Sequence, residues 1–292
     1  MKVGQRLEIA GLILVLFVIL VTLFSLYLSF MIIHPFRMSA IRTPSHYGMS
    51  YENVAFDSLD GTQLKGWFIP SVQDNEPSPL IIVCHGHGSN KGNVLFAAGF
   101  LHRSGYEVFL FDFRAHGESD RDFATLGWLE PDDLKAAIEY LKKEVNPKST
   151  GVIGFSMGGA TAITTAGQTS EIRAVIADSS FADRSELIVQ AVKYVFPPPL
   201  AYLTPIFAGL QGLNLHENLP INYAGKISPN ALLIIQGDKD HLVGTEDAVS
   251  LYDNAKEPKE LWIVPDTPHV AAHRTQRSEY ERRVLAFFDE YL

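Results

Sequence analysis

The chemistry in this sequence gathers first at "VIGFSMGGA", residues 152–160, where Ser156 stands among glycines between two apolar runs. Gly154, Ser156 and Gly158 form a G-x-S-x-G pattern. The preceding "TGVIGF" reads as a strand and the following "MGGATAITTA" as a helix. In that context a sharp turn holds the hydroxyl out beside a helix N-terminus, whose amides favour developing negative charge. Side chains two residues either side of such a turn would collide, and glycine at 154 and 158 removes the collision. Outside that context the five residues would read as a glycine-rich turn with an N-capping serine.

A serine hydroxyl is a weak nucleophile until a base takes its proton. A nucleophile on a turn of this kind is followed in the chain by an acid and then a histidine. Downstream lie His216, His241, His269 and His273. His269 comes just after the last apolar run, "LWIVPDTP", where a loop can swing it over the serine, and it is the expected base. His273 is the reserve, while His216 and His241 read as surface or lining residues. For the acid, "LLIIQGDKDHLV" places Asp238 and Asp240 after a strand. Asp240 follows a turn begun by Gly237 and can reach back to a histidine, whereas Asp238 is expected to hold the turn by Asx-type bonding. Asp178, at the end of "VIADSS", is the competing acid. An oxyanion needs two backbone N–H donors. Met157, next after the serine, supplies one, and His87 in the loop "HGHGSN" the other, with Gly86 and Gly88 allowing close approach. His85 and His87 have no further ligands at metal-site spacing, so neither metal nor cofactor is expected. Cys84, inside an apolar run, reads as a buried hydrophobe.

These residues need a scaffold of strands alternating with helices. "YENVAFDSLDGTQLKGWFIP" alternates on both sides of Asp60-Gly61 and reads as a hairpin, followed by a polar loop, "SVQDNEPSP". Strands are expected at "LIIVCHG", "YEVFLFDFR", "TGVIGFS", "IRAVIADSS", "NALLIIQGDKD" and "KELWIVP", with helical patterns between them and "SEYERRVLAFFDEYL" closing the chain. Such alternation predicts a mostly parallel central sheet with helices on both faces. From Phe181 to about Lys226 no strand occurs, and "FPPPLAYLTPIFAGLQG" reads as a small helical cap over the carboxyl edge of the sheet, where open α/β sheets bind ligands. Its aromatics Tyr194, Phe196, Tyr202 and Phe207 suggest an apolar acyl substrate, or else packing against the sheet.

Ahead of this domain, Ile9 to Ile33 carries no charge. As a helix it would reach about 37 Å, enough for a hydrocarbon core of about 30 Å with some tilt. The run is too long for a signal-peptide core, and "MSA" puts methionine where a cleavage site needs a small residue. The expected organisation is an N-terminal tail over 1–8, a single-pass transmembrane helix over 9–33, a linker over 34–49 and a catalytic domain over 50–292 with the cap at about 181–226. Lys2 and Arg6 on one flank match Arg37 and Arg42 on the other, so the charge rule leaves the orientation open.

The net charge of −9, without a long basic run, argues against nucleic acid as a partner. With one cysteine no disulfide framework can form. Nothing in the composition bears on oligomeric state.

Taken together, "HGHGSNK", "FDFRAHGESD", "GFSMGG", "GDKDHLV" and the late His269 resemble the α/β-hydrolase superfamily in order and spacing, across nearly all of residues 50–292. Within it the chain is similar to membrane-anchored α/β-hydrolase-domain proteins and the serine aminopeptidase-like group. The resemblance implies an α/β-hydrolase fold with Ser156, Asp240 and His269 as nucleophile, acid and base. It also implies that Asp112, Arg114, His116, Gly117 and Ser119 form a structural loop supporting the oxyanion loop. "PDTPH" departs from relatives that more often place glycine before the histidine. The implied activity is hydrolysis of carboxylic esters or lipid acyl groups through an acyl-enzyme. Thioester (protein depalmitoylase-like) and peptide hydrolysis are the alternatives, and a silent, membrane-tethered binding module is the non-enzymatic one.

Overall fold

The computed structural model describes residues 3–72, 78–121 and 123–292. The polar loop expected at "SVQDNEPSP" falls largely, over 73–77, outside the described residues, as do the first two residues of the expected tail. Eight strands form one sheet among the described residues: β1 (Glu52–Asp57), β2 (Gln63–Ile69), β3 (Leu80–Cys84), β4 (Glu107–Asp112), β5 (Thr150–Phe155), β6 (Ala174–Asp178), β7 (Ala231–Gly237) and β8 (Lys259–Val264). Their order across the sheet is β1-β2-β4-β3-β5-β6-β7-β8. β1 and β2 form the hairpin and β2 runs antiparallel to β4, while every pairing from β4 through β8 is parallel. Edge strand β1 alternates exposed and buried residues toward its end, whereas β3, β6 and β7 are buried at every position. That contrast explains why the central strands carry unbroken apolar runs: both of their faces are covered.

The coverage is visible residue by residue in β3. Leu80, Ile82 and Cys84 join a core with α3 (Glu130–Glu144), α4 (Met157–Ala166) and α7 (Thr245–Asn254). Ile81 and Val83 face the other core, built with α2 (Leu95–Arg103) and α9 (Arg277–Tyr291). Cys84 is buried there, and burial pushes its thiol pKa far up, so it packs as an apolar side chain. A short helix, α8 (Ala272–Thr275), follows the His269 loop.

The stretch without strands forms two helices, α5 (Arg184–Val195) and α6 (Pro198–Leu210), then two short turns at Pro220–Asn222 and Ala224–Lys226. Asp183 caps α5 by accepting from the amides of Ser185 and Glu186. The N-terminal helix α1 (Val3–Ile33) begins before the apolar run, so the chain is already helical from Val3. It is long and apolar enough to cross a membrane. Its last turns pack on the cap: Val21, Leu28 and Ile32 lie against Val192, Leu200 and Ala201, and Phe24 meets Phe196 edge-on at 5.2 Å between ring centroids. The segment after it is tied down as well. Arg37 donates to the carbonyls of Ser119 and Arg121, and Asn90 donates to the Met38 carbonyl at 3.0 Å.

Candidate active site

Ser156 occupies the turn between β5 and α4 with φ 52° and ψ −116°, a conformation rarely adopted by residues other than glycine and costing about 1–3 kcal/mol. The surroundings hold it there. Its amide donates to the Asp178 carbonyl at 2.8 Å, and its carbonyl accepts from Ala160 at 3.0 Å. A Cβ on residue 154 would sit 2.2 Å from the Gly158 carbonyl oxygen, which is the collision expected from sequence. A Cβ on residue 158 would meet a different obstacle, the carbonyl oxygens of Cys84 and His85 at 2.4 and 2.6 Å. Gly158 is therefore required by the approach of β3, not by the turn itself.

Across from the serine, the loop after β3 brings Gly86 and His87 to the same cavity. A Cβ at residue 86 would lie 3.3 Å from the Ser156 Cβ, so that loop is as close as a bare backbone allows. Neither the His87 nor the Met157 amide donates to an acceptor among the described residues, as a site for an anion requires. The Gly88 amide donates to His116 Nε2 at 3.0 Å, and His116 Nδ1 donates to the Arg114 carbonyl at 2.8 Å. His116 is thus neutral, with burial lowering its pKa. Asp112 accepts from the Lys91 amide at 2.7 Å and from the Glu118 amide at 2.9 Å, and Lys91 Nζ bridges the Asp112 and Glu118 carboxylates. Arg114 pairs with buried Asp133. The Asp112–Ser119 loop thus braces the loop that carries Gly86, His87 and Gly88. Burial also lowers His85 and His87 to about 3, so both imidazoles are neutral at physiological pH.

The histidine arrives on the loop after β8. His269 Nδ1 donates to Asp240 Oδ2 at 2.6 Å. The same oxygen accepts from Gln236 Nε2 at 3.1 Å, and Oδ1 accepts from the amides of Leu242 and Val243 at 2.9 and 3.0 Å. Burial works to raise the Asp240 pKa, but the His269 interaction and these two amides outweigh it and hold the carboxyl below its usual range. The Asx-type bonding expected of Asp238 is made by Asp240 itself. Asp238 instead reaches across to the Thr267 amide at 3.3 Å, steadying the histidine loop.

Asp178 is close by but occupied otherwise. Ser179 Oγ and Tyr280 OH donate to its carboxylate, each at 2.9 Å, and the Val270 amide donates to Ser179 Oγ at 3.0 Å. Val270 is β-branched with φ 50°, a strained backbone at the residue after His269. This network secures it. His273 lies elsewhere, bonded to Glu281 at 3.1 Å and stacked on Phe100. His216 is on the cap, and His241 stacks on Tyr194 in a smaller neighbouring cavity.

Ser156 and His269 line one cavity of about 440 Å³ with Gly86, His87 and Met157. Most of its remaining wall is apolar and is shared among Leu187, Ile188 and Ala191 of α5, Phe96 of α2, Phe155 at the end of β5 and Ile32 at the end of α1, with Ser89 and Asn93 as polar members. The cap aromatics expected there are not part of it. Tyr194 and Tyr202 are exposed, Phe196 packs on α1, and Phe207 is absent from the lining.

The family model for the alpha/beta hydrolase fold matches residues 79–204. Protein YfhR of Escherichia coli O157:H7 is 34% identical over 247 residues, covering 82% of this chain and 80% of its own. The chain belongs to the α/β-hydrolase superfamily. A solved esterase of Pyrococcus furiosus, Pf2001, superposes with a TM-score of 0.76 at 31% identity, covering 89% of this hydrolase and 98% of the esterase. Est1E of Butyrivibrio proteoclasticus, solved with ferulic acid, shares the fold with a TM-score of 0.63 at 19% identity, over 81% of this chain and 99% of its own.

Among the parts of the site that escaped the sequence reading, Gln236 and Ile32 differ in the signal they offered. Gln236 is a polar residue inside the otherwise apolar "LLIIQG", four positions before the acid it supports, and that anomaly was a usable signal. Ile32 carried none, because its place in the cavity depends on α1 folding back onto the cap.

Proposed function

We propose that this α/β-hydrolase is a serine hydrolase cleaving carboxylic esters or lipid acyl groups, anchored in a membrane by α1. The observation that carries the reading is one apolar cavity in which Ser156 and His269 face the same space, with Asp240 bonded behind the histidine. His269 takes the Ser156 proton as the hydroxyl attacks the acyl carbonyl. The amides of His87 and Met157 hold the oxyanion, each donor contributing about 2.7–4 kcal/mol to the barrier reduction. Protonated His269 then gives its proton to the leaving alcohol, and Asp240 stabilises the imidazolium in between. Water attacks the acyl-enzyme by the same route, releasing a carboxylic acid and freeing the serine. These steps call for no cofactor.

The solved P. furiosus neighbour is an esterase, which favours an ester over an amide. The apolar lining from Leu187, Ile188 and Ala191 suits an acyl chain. The test is labelling of the detergent-solubilised chain by a fluorophosphonate, with a panel of ester, thioester and aminoacyl-amide substrates. Labelling and ester turnover should vanish in Ser156→Ala and fall sharply in His269→Ala. Undiminished ester hydrolysis by Ser156→Ala would sink the reading.

A further inference from the structure

The cap helix α6 stands against α1 in a way that has a consequence for the membrane. From Val3 to Leu20 every residue of α1 is exposed, and from Val21 onward one side is covered by α5 and α6. Ser25 and Ser29 are buried on that side, and Gln211 at the end of α6 donates to Ser29 Oγ and, at 3.4 Å, to the Leu26 carbonyl. The uncovered apolar stretch, Ile9 to Leu20, is about 18 Å long at 1.5 Å per residue. That falls about 12 Å short of a hydrocarbon core of about 30 Å. A span completed at 1.5 Å per residue must run on to about Leu28, and those added turns are the ones that carry the cap.

The cap is built for that depth. No Asp, Glu, Lys or Arg occurs between Lys193 and Glu217. The outward face of α6 presents Tyr202, Ile206 and Leu210, spaced four apart on one stripe and 57%, 55% and 76% exposed. Large side chains so exposed on a chargeless helix have no cover among the described residues, yet they continue the apolar surface of α1.

We propose that α6 is itself embedded in the acyl-chain layer of the bilayer, side by side with the C-terminal half of α1. This rests on the reading of α1 as a membrane span. The occupant of the Tyr202–Ile206–Leu210 face is then lipid. Ile32, about 6 Å beyond Leu28 at 1.5 Å per residue, is a wall of the Ser156 cavity, so that cavity sits at the interface, just above the ends of the embedded helices and next to the adjoining acyl chains. Its substrate is accordingly a membrane-resident acyl lipid, taken up from the leaflet and not from water.

The test uses the full chain in phosphatidylcholine vesicles, with nitroxide labels at Ile206→Cys, at Leu16→Cys within the span and at Glu144→Cys, exposed at the end of α3, native Cys84 being buried. Relaxation by oxygen and by a water-soluble nickel chelate reports depth. The expected result is an Ile206 label shielded from nickel to the degree of Leu16, with Glu144 freely reached. In parallel, Leu210→Glu should lower hydrolysis of a vesicle-borne long-chain ester about tenfold, as a charge placed among acyl chains requires, while a soluble short-chain ester is turned over as before. A shielded Leu16 with an Ile206 label as open as Glu144 overturns the proposal and leaves the span standing. An open Leu16 overturns both. Loss of the soluble ester activity in wild type would fall on the esterase reading alone, because the depth measurement is independent of turnover.

Discussion

Replacing Asp240 by asparagine removes a charge while keeping the shape, and the structure dictates which way the new amide must face. The Oδ1 position accepts two main-chain amides, Leu242 and Val243, that cannot turn away. Placing an NH2 there would set donor against two donors, a penalty of about 2–6 kcal/mol at about 1–3 for each orphaned group. The asparagine oxygen therefore takes that side and its NH2 points at His269 and Gln236, which occupy the other oxygen in the wild type. An NH2 facing Nδ1 requires the imidazole to present a lone pair there and carry its proton on Nε2. That tautomer cannot accept a proton from Ser156. In serine proteases the equivalent change lowers kcat by about 10⁴, or about 5.5 kcal/mol of barrier, and a loss of that size is expected here. The assay is the rate of fluorophosphonate labelling together with turnover of a soluble short-chain ester, on protein whose melting curve shows it folded. A folded Asp240→Asn chain retaining a rate within about tenfold of wild type would refute the tautomer argument.

Three further outcomes follow from the same structure. Burial, working against the bonds from Ser179 and Tyr280 and the proximity of His269, raises the Asp178 pKa from its ordinary 3.8 to about 6. The folded chain then holds a proton that the unfolded chain has released, so stability falls as pH rises from about 4 to about 6, by up to roughly 3 kcal/mol. Asp178→Asn should flatten this part of the urea-midpoint profile while leaving the labelling rate within about threefold. Arg184 is buried and donates to the carbonyls of Leu126, Asn214, Glu217 and Asn218. Arg184→Met should cost about 3 kcal/mol or more in urea unfolding, because several buried acceptors lose their donor, and should open the cap to limited proteolysis. Finally, Ala191→Phe fills the apolar wall beside Leu187 and Ile188. Turnover of long-chain esters should drop at least about tenfold relative to an acetyl ester, read as a ratio of kcat/KM values.

What could be read from the chain alone was the chemistry carried by local pattern. The elbow at Ser156 and the alternation of apolar runs with helical stretches are written in consecutive residues, because a strand buried on both faces must be apolar throughout. The carboxylate of Asp240 and the imidazole of His269 were legible from position, each just past a strand. The same logic assigned the turn bonding to Asp238 instead of Asp240, since spacing says nothing of which carboxylate turns inward. The contents of the cavity were least legible. Cap aromatics attracted notice by type, yet the cap's share of the wall is Leu187, Ile188 and Ala191, and Tyr194, Phe196, Tyr202 and Phe207 lie outside it. The role of Arg184 depends on carbonyls 30 to 58 positions away, brought to it only by folding.

The packing of α1 on the cap also determines what happens to the protein without its first 33 residues. Such a shortened chain keeps the sheet, the serine and the histidine, but Leu200, Ala201 and Val192 lose their cover and the cavity loses the Ile32 side. It would be soluble only by self-association or with detergent on the bared helices. Its acyl-length preference would describe a cavity missing one wall. Helix α1, long and apolar enough to cross a membrane, is thus also a wall of the candidate site, and substrate profiles belong to the chain that carries it.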